Sequence, residues 1–217
     1  MDKKIYIIRH AESEQNIGIF HEHSGTNPLT SHGHKQASEL SKTLVQPSKI
    51  IVSKFIRTIQ TAEPVIKKFP DTEIHVWSNT HEYINVNTAK LIDKTNSNYE
   101  VREKFVWSIN DPFYRDGDMN ESFAEFVDRV LDLILELQKL TGINYVFTHA
   151  YVIRMLKVLL NKHSGTYKLE HNALGSKKFY LQIKKEFGEI YESGDESRVP
   201  NVGIVDFTQK IENFILH

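Results

Sequence analysis

The chain has 217 residues with a formal net charge of −1, 40% hydrophobic residues, 25% charged residues and no cysteine. These values are typical of a soluble globular protein, and the near-zero charge argues against a nucleic-acid-binding protein, which usually carries a basic excess. The lack of cysteine excludes disulfides, thiolate nucleophiles and cysteine zinc sites. No apolar run approaches the roughly 18 residues of a membrane helix. We therefore expect a cytoplasmic protein that binds neither nucleic acid nor membranes.

The first third of the chain alternates between buried apolar runs and apolar residues at helical spacing. The β-branched and aromatic run at residues 5–8 predicts a buried strand that stops at Arg9. Strands are expected at residues 3–8, 50–52 and 73–77, and helices at about 12–19, at about 32–45 and from Phe55 onward. This alternation indicates a parallel sheet with right-handed crossovers.

The second half begins with an irregular segment and then returns to regular periodicity. Residues 83–120 mix polar and aromatic residues with turn signals, and we interpret them as a small, partly helical cap inserted into the sheet domain. Ser122 and Glu125 form a capping box that opens a long helix. Further strands are expected at 145–147, 179–183 and 202–205, with a helix containing Val152 and Leu159 after the first of them and an acidic turn at 194–197.

Together these elements predict an α/β fold. We expect a three-layer, mostly parallel sheet with helices on both faces and the small cap insertion at about 83–120. The length suits one large domain or one domain with an insertion, so residues 1–217 are predicted to form a single domain.

Charged residues stand where the predicted strands end. Arg9 and His10 follow the first strand, and Arg57 lies one turn into the helix after the second. Glu82 follows the third strand by a few residues, and His149 follows the strand at 145–147. Because the C-terminal ends of parallel strands lie on one edge of a sheet, these side chains are expected to converge there. Any one of them alone is more often an ordinary surface residue, but the set favours a ligand site.

The motifs around these residues resemble those of the histidine phosphatase superfamily, which has the phosphoglycerate mutase-like fold. Residues 9–13, Arg-His-Ala-Glu-Ser, are similar to its Arg-His-Gly-Glu-Ser/Thr signature, and residues 149–154 are similar to its His-Gly-Gly-x-x-Arg segment. Further blocks that resemble the family, in the same order along the chain, are residues 27–37, 53–62, 121–129 and 200–202. Glu82 falls where the family carries its acid, and Asn16 matches an asparagine that often follows the signature.

The sequence departs from the family pattern in three places. Ala11 and Ala150 stand where the family usually has glycine. The usual Gly-rich, Trp-containing segment after the acid is missing, and Tyr-Ile-Asn-Val-Asn occupies residues 83–87.

The chemistry of the predicted site suits a phosphomonoester. Arg9 and Arg57 offer planar forks for the phosphoryl oxygens, and His149 adds a donor. The arginine charges are expected to lower the pKa of His10, so that a neutral imidazole attacks phosphorus and forms a phosphohistidine. Glu82 is expected to protonate the leaving oxygen and then to activate water. Because the arginines supply the positive charge, neither a metal nor another cofactor is required.

Three residues complete the predicted phosphate and substrate contacts, namely Asn16, Ala150 and His23. A dense polar cluster comprises His21, Glu22, His23, His32 and His34. Its His-x-His pairs suit zinc or nickel, but spacing alone defines no site geometry, and a polar loop at the rim of the site is the favoured interpretation.

We therefore predict a metal-independent phosphatase that acts on a small-molecule phosphomonoester through a phosphohistidine at His10, with a phosphoprotein as a possible substrate. A phosphoglycerate-type mutase uses the same residues but needs extra cations in the cap, where acids are about as numerous as bases. A catalytically silent phospho-ligand-binding module is a third interpretation, based on Ala11, Ala150 and the altered segment after Glu82. The intact His10, Arg9, Arg57 and His149 argue against it. Sequence alone leaves the substrate and the oligomeric state open.

Overall fold

A computed structural model describes residues 2–21, 23–91, 95–162, 175–192 and 199–214. Within these ranges five strands form one sheet in the order β3-β2-β4-β1-β5. The strands are β1 (Lys4–Arg9), β2 (Lys49–Val52), β3 (Glu73–Val76), β4 (Ile143–Thr148) and β5 (Ile204–Asp206). The first four pair in parallel, and β5 pairs antiparallel with β1. The predicted acidic turn at 194–197 and Glu22 lie outside the described residues.

The helices follow the predicted periodicity in most places. They are α1 (Ser31–Thr43), α2 (Ile56–Lys68), α3 (Asn96–Ser108), α4 (Phe123–Gln138), α5 (Ala150–Lys162), α6 (Lys177–Glu192) and α7 (Thr208–Glu212). The side chain of Thr30 accepts a hydrogen bond from the backbone N–H of Gly33 and caps α1. The capping box predicted at Ser122 and Glu125 is present at the start of α4.

Alternation along the strands divides the core into two layers. Ile5 and Ile7 of β1 point into a large apolar cluster with α4, α5, α6 and α7. Ile8 faces the other way, into a second cluster that includes residues of α1 and α2. Because successive strand residues point to opposite faces, a continuous apolar run such as that in β1 needs helices on both sides. The predicted three-layer, mostly parallel α/β architecture is confirmed.

Two predicted elements differ from the structure. The strand expected at 179–183 is wrong, because these residues belong to α6. Tyr180, Ile183 and Phe187 are buried at a spacing of three and four residues, which is the core face of a helix. The helix expected at 12–19 is a single 3-10 turn at Glu14–Ile17.

The segment between β3 and α4 is partly helical, as expected, and contains a short 3-10 turn (Thr88–Lys90) as well as α3. The buried carboxylate of Asp116 links several parts of this segment by hydrogen bonds. Asp116 accepts hydrogen bonds from Arg102 Nε at 3.1 Å and from the backbone N–H of Asn87 at 2.8 Å. Tyr114 and Lys90 also donate to it. Among the described residues, no helix combines the length and the apolar character needed to cross a membrane.

Candidate active site

His10 follows directly after β1, and its ring is held at both nitrogens. Nδ1 lies 2.7 Å from the carbonyl oxygen of Ala11, and Nε2 lies 3.2 Å from Nε of Arg57. A carbonyl oxygen can only accept a hydrogen bond and the Arg57 Nε–H can only donate one. The two contacts therefore select the tautomer with the proton on Nδ1, which leaves the lone pair on Nε2.

The surroundings of His10 also favour its neutral form. The residue is 3% exposed. Burial lowers the pKa of His10 well below its usual value, and the charges of Arg57 and Arg9 lower it further. The imidazole is therefore uncharged at neutral pH, which is the form that can act as a nucleophile.

Arg57 occupies the first turn of α2 and is almost completely buried. Besides its contact with His10, its Nη1 donates to the carbonyl oxygen of Ser24 at 2.7 Å. The guanidinium lies over the ring of Phe55, 4.9 Å from its centroid. Burial lowers the pKa of Arg57 to about 10, so the group still carries its positive charge at neutral pH.

His149 lies at the end of β4, beside His10. The two ring centroids are 5.2 Å apart. Nε2 of His149 is 2.9 Å from Oγ of Ser53, which follows β2. Burial lowers the pKa of His149 well below its usual value, and the charge of Arg57 adds to this effect. The structure thus brings together two neutral imidazoles and one arginine from three strand ends.

Glu82 joins this group from the loop after β3. Its Oε1 accepts hydrogen bonds from the backbone N–H groups of Tyr83 at 3.1 Å and Tyr151 at 3.2 Å. Burial raises the pKa of the Glu82 carboxyl, while the positive charge of Arg57 opposes the shift. A carboxyl with a raised pKa beside a cation suits a residue that gives up and takes back a proton.

Arg129 of α4 holds the loop that carries Glu82. Its Nη1 donates to the carbonyl oxygens of Asn79 at 2.8 Å and His81 at 2.9 Å. The other edge of the guanidinium forms a two-pronged pair with Glu121, with N–O distances of 2.6 and 2.7 Å. The pair with Glu121 fixes the orientation of the Arg129 guanidinium. Arg129 therefore links the loop that carries Glu82 to α4. Sequence reasoning noted Glu121 and Arg129 but assigned them no function.

Arg9 contributes its charge rather than a direct contact with His10. Its Nη1 donates to the carbonyl oxygen of Val199 at 2.7 Å. Its Nε is buried and has no hydrogen-bond partner among the described residues. Burial lowers the pKa of Arg9, and the charge of Glu82 counteracts that shift.

The three other predicted substrate-binding residues, Ala150, Asn16 and His23, lie in different surroundings. Ala150 begins α5 and lines a small cavity together with Glu82. Asn16 lines a larger neighbouring cavity, and its Oδ1 accepts from the backbone and the hydroxyl of Ser13. His23 is exposed and stands at the N-terminal cap position of the 3-10 turn at Ser24–Thr26, without a capping hydrogen bond from its side chain. The substrate contact predicted for His23 stays a prediction.

The alanine that replaces glycine at position 11 fits without distortion. Ala11 is fully buried, and it belongs to a small apolar cluster with Leu29 and Ala37. Its backbone N–H donates to Oγ1 of Thr61 at 3.0 Å. Among the described non-glycine residues only Val202 has a positive φ, so the backbone at position 11 does not require glycine.

Val202 is a strained residue next to His10, and sequence reasoning did not find it. Its φ is 56°, a left-handed value that costs a β-branched residue free energy. Its backbone N–H donates to the carbonyl oxygen of His10 at 3.4 Å. The turn that contains Val202 is therefore hydrogen-bonded directly to His10, the residue that follows β1.

Two adjoining cavities lie beside Glu82. The smaller has a volume of about 180 Å³, and the larger about 780 Å³. Tyr83 lines the smaller cavity and Trp107 the larger. Sequence reasoning missed Phe20 and Tyr99, which line both cavities and stack with ring centroids 5.2 Å apart. For Tyr99, an isolated aromatic residue in an otherwise polar segment is the signal that could have found it.

The histidine cluster is dispersed in the fold. Nε2 of His21 pairs with Glu14 at 2.6 Å, and Nε2 of His32 lies 3.2 Å from Nε2 of Gln36. In the described ranges, no three or more His, Cys, Asp or Glu residues are grouped so that they could hold a metal ion.

The sequence of the chain matches a protein family and several curated proteins. A model of the histidine phosphatase superfamily (branch 1) matches residues 5–176. The chain is 25% identical to bovine 6-phosphofructo-2-kinase/fructose-2,6-bisphosphatase 3 over 92% of its length and 45% of the relative's. It is 28% identical to the human enzyme of that name over 71% of its length and 29% of the relative's. The chain thus spans less than half the length of these curated relatives.

Solved structures share the fold at low sequence identity. A phosphoserine phosphatase from Entamoeba histolytica, solved in complex with 3-phosphoglyceric acid, is 18% identical with a TM-score of 0.60, covering 94% of this chain and 89% of that one. An alpha-ribazole phosphatase from Shigella flexneri is 22% identical with a TM-score of 0.56, covering 72% of this chain and 80% of that one.

Proposed function

The chain belongs to the histidine phosphatase superfamily, and from that premise we propose that it is a metal-independent phosphatase that hydrolyses phosphomonoesters through a phosphohistidine on His10. The observation that supports this most directly is the pair of contacts on the His10 ring. Nδ1 is held by the Ala11 carbonyl, and Nε2 presents its lone pair next to the Arg57 guanidinium. The nucleophilic atom is thus Nε2.

In the first half-reaction Nε2 of His10 attacks phosphorus and the ester P–O bond breaks. The imidazole becomes positively charged as the N–P bond forms, and the hydrogen bond from Nδ1 to the Ala11 carbonyl stabilises that charge. The equatorial oxygens carry the negative charge of the transition state, which Arg57 stabilises with help from Arg9. Glu82, whose pKa is raised by burial, gives a proton to the leaving oxygen.

In the second half-reaction the Glu82 carboxylate accepts a proton from water. The resulting hydroxide attacks the phosphorus, the N–P bond breaks, and inorganic phosphate leaves with His10 neutral again. Each proton that Glu82 donates in the first step is recovered in the second, so the cycle needs no other acid, base or metal ion. His149, hydrogen-bonded to Ser53, adds a polar group beside the His10 ring.

The test measures hydrolysis of p-nitrophenyl phosphate in excess EDTA by the wild type, His10→Ala and His32→Ala. We expect EDTA to leave the wild-type rate unchanged and His10→Ala to lower kcat by about 10⁴-fold or more, since the nucleophile is lost. His32 is exposed on α1, outside both cavities, and serves as the matched control.

Rapid quenching should also trap a phosphoenzyme that is stable in alkali and labile in acid. Retention of activity in His10→Ala, or loss of wild-type activity on adding EDTA, contradicts the proposed mechanism.

A further inference from the structure

The larger cavity adjoins the one that Glu82 lines, and its lining includes five aromatic side chains, namely Phe20, Tyr99, Trp107, Tyr151 and Phe187. We propose that it binds the leaving group, and that the substrates are phosphomonoesters whose leaving group carries an aromatic ring. This inference rests on the proposed phosphatase function, and it adds the substrate class.

The larger cavity adjoins the small cavity that Glu82 lines. It shares five lining residues with the small cavity, namely Gln15, Phe20, Tyr99, Glu103 and Tyr151. The small cavity is also lined by Glu82, the proposed donor of the proton to the leaving oxygen. A leaving group attached at that oxygen therefore extends from Glu82 into the larger space.

Two stacked aromatic pairs contribute to the lining of this space. Phe20 stacks on Tyr99 of α3 with ring centroids 5.2 Å apart. Trp107 stacks on Phe187 of α6 with centroids 5.6 Å apart. A planar ring bound against such side chains gains offset stacking contacts in addition to burial of its apolar surface.

A buried guanidinium adds a third flat surface. Arg154 is 6% exposed, and its central carbon lies 5.1 Å from the ring centroid of Tyr151 and 5.1 Å from that of Phe187. Guanidinium groups held flat against rings stack readily on a further aromatic face. The Arg154 guanidinium thus adds a planar, positively charged group to the lining of the cavity.

The charges of the cavity disfavour a polyanionic leaving group. Glu100 and Glu103 offset Lys104 and Arg154 among the lining residues. Glu103 also accepts a hydrogen bond from the hydroxyl of Tyr151 at 2.6 Å. A leaving group with a second phosphate gains little net attraction here. The volume of about 780 Å³ is that of a pocket for a drug-sized ligand, larger than a three-carbon ester needs.

The first arm of the test measures binding without catalysis. The chain has two tryptophans, so the Trp77→Phe protein reports on Trp107 alone. Its fluorescence is titrated with 3-phenylpropylphosphonate and with n-propylphosphonate, which differ only in the ring. We expect the phenyl compound to bind about tenfold more tightly and to change the emission of Trp107.

Two variants locate the effect within the cavity. Phe20→Ala in the same background should reduce the preference from about tenfold to about threefold, because one aromatic wall is lost. Phe105→Ala is the matched control, since Phe105 lies on the same helix as Trp107 but is 48% exposed and does not line the cavity. It should leave the preference unchanged.

The second arm compares kcat/KM for the corresponding phosphate esters, and for adenosine 5′-monophosphate against ribose 5-phosphate. The ester pair tests a simple aryl group, and the nucleotide pair tests a nucleobase as the source of the ring. An aromatic preference in binding without hydrolysis of any ester supports an aromatic-binding cavity but overturns the proposed function, and with it the assignment of the bound group as a leaving group. Hydrolysis with no aromatic preference, or a preference that survives Phe20→Ala, overturns the inference and leaves the proposed function standing.

Discussion

The edge of the sheet and the segment at 83–120 each contain a central arginine, and the two arginines are used in opposite ways. Arg57 is 2% exposed and donates to an imidazole nitrogen and a carbonyl oxygen. Burial and the neighbouring Arg9 lower its pKa. Arg102 is partly exposed, pairs with the buried carboxylate of Asp116, and its pKa is raised by that hydrogen bond. The fold thus disfavours the charge of Arg57 and favours that of Arg102.

This difference predicts which substitutions lower stability and which lower the reaction rate. A charge that the fold disfavours, next to two histidines that burial keeps neutral, is poised to gain a phosphate partner. A charge that is already paired stabilises the segment around it. Substitutions at the sheet edge should therefore lower the rate of reaction, and substitutions in the 83–120 segment should lower stability.

The largest effect is expected from Arg57→Met, which keeps the aliphatic stem and removes the charge. We expect kcat for p-nitrophenyl phosphate to fall by about 10³-fold, or about 4 kcal/mol of transition-state stabilisation. The free energy of unfolding, measured by urea denaturation, should stay the same or rise because a desolvated cation is gone. A large loss of stability in this variant contradicts the comparison.

The same substitution in the other region, Arg102→Met, should give the reverse result. It leaves the Asp116 carboxylate buried with one fewer cation, which should cost about 3 kcal/mol in the urea experiment. We expect kcat to change by less than about threefold, because Arg102 pairs with Asp116 inside the 83–120 segment and not with a residue of the candidate active site. A variant of full stability and low kcat rules out the structural function of this pair.

A smaller effect concerns pH. The pKa of His149 in the folded state lies well below its ordinary value of 6.5, so below about pH 6.5 the unfolded chain binds a proton that the folded chain does not. Stability from this residue is complete above that pH and is lost as the pH falls. Between pH 6.5 and 5 the unfolding free energy of His149→Gln should fall less steeply than that of the wild type, by about 1.4 kcal/mol per pH unit.

The segment at 83–120 provides the control for the pH dependence of His149→Gln. Residues 83–120 contain no histidine. The free energy of local opening of α3, measured by hydrogen exchange, should therefore show no corresponding change between pH 6.5 and 5. Glu82 acts in the direction opposite to His149, since its raised pKa favours the folded state at low pH, but it is the same in both proteins. Equal slopes for the wild type and His149→Gln contradict a buried, neutral His149.

The smallest effect is expected at Ala11. Ala11→Gly removes a buried methyl group from the cluster with Leu29 and Ala37, and the unfolding free energy should drop by about 1 kcal/mol. Because glycine is the residue usual in this family, kcat should stay within about twofold of the wild type. A tenfold rise in kcat shows instead that the methyl group crowds the phosphate pocket.

Local sequence pattern determined most of the sheet and its functional edge. The apolar runs in β1 and β4 stop abruptly at polar residues, and the parallel arrangement follows from the intervening helices. His10, Arg57 and His149 could be assigned to one edge because each directly follows a strand or opens the next helix. A five-residue window at 179–183 was too short to distinguish a strand from a helix, since the deciding core residue, Phe187, lies outside it.

Tertiary contacts decided the rest. The proton position on His10 depends on the carbonyl of Ala11 and on Arg57, which lies 47 positions away in the sequence. The support of Glu82 by Arg129 and the stacking of Phe20 on Tyr99 likewise join distant segments. Periodicity reports which face of an element is buried, but it carries no information on which polar groups meet across elements. For this protein, sequence located the residues of the proposed reaction, and folding set their protonation states and the shape of the space beside them.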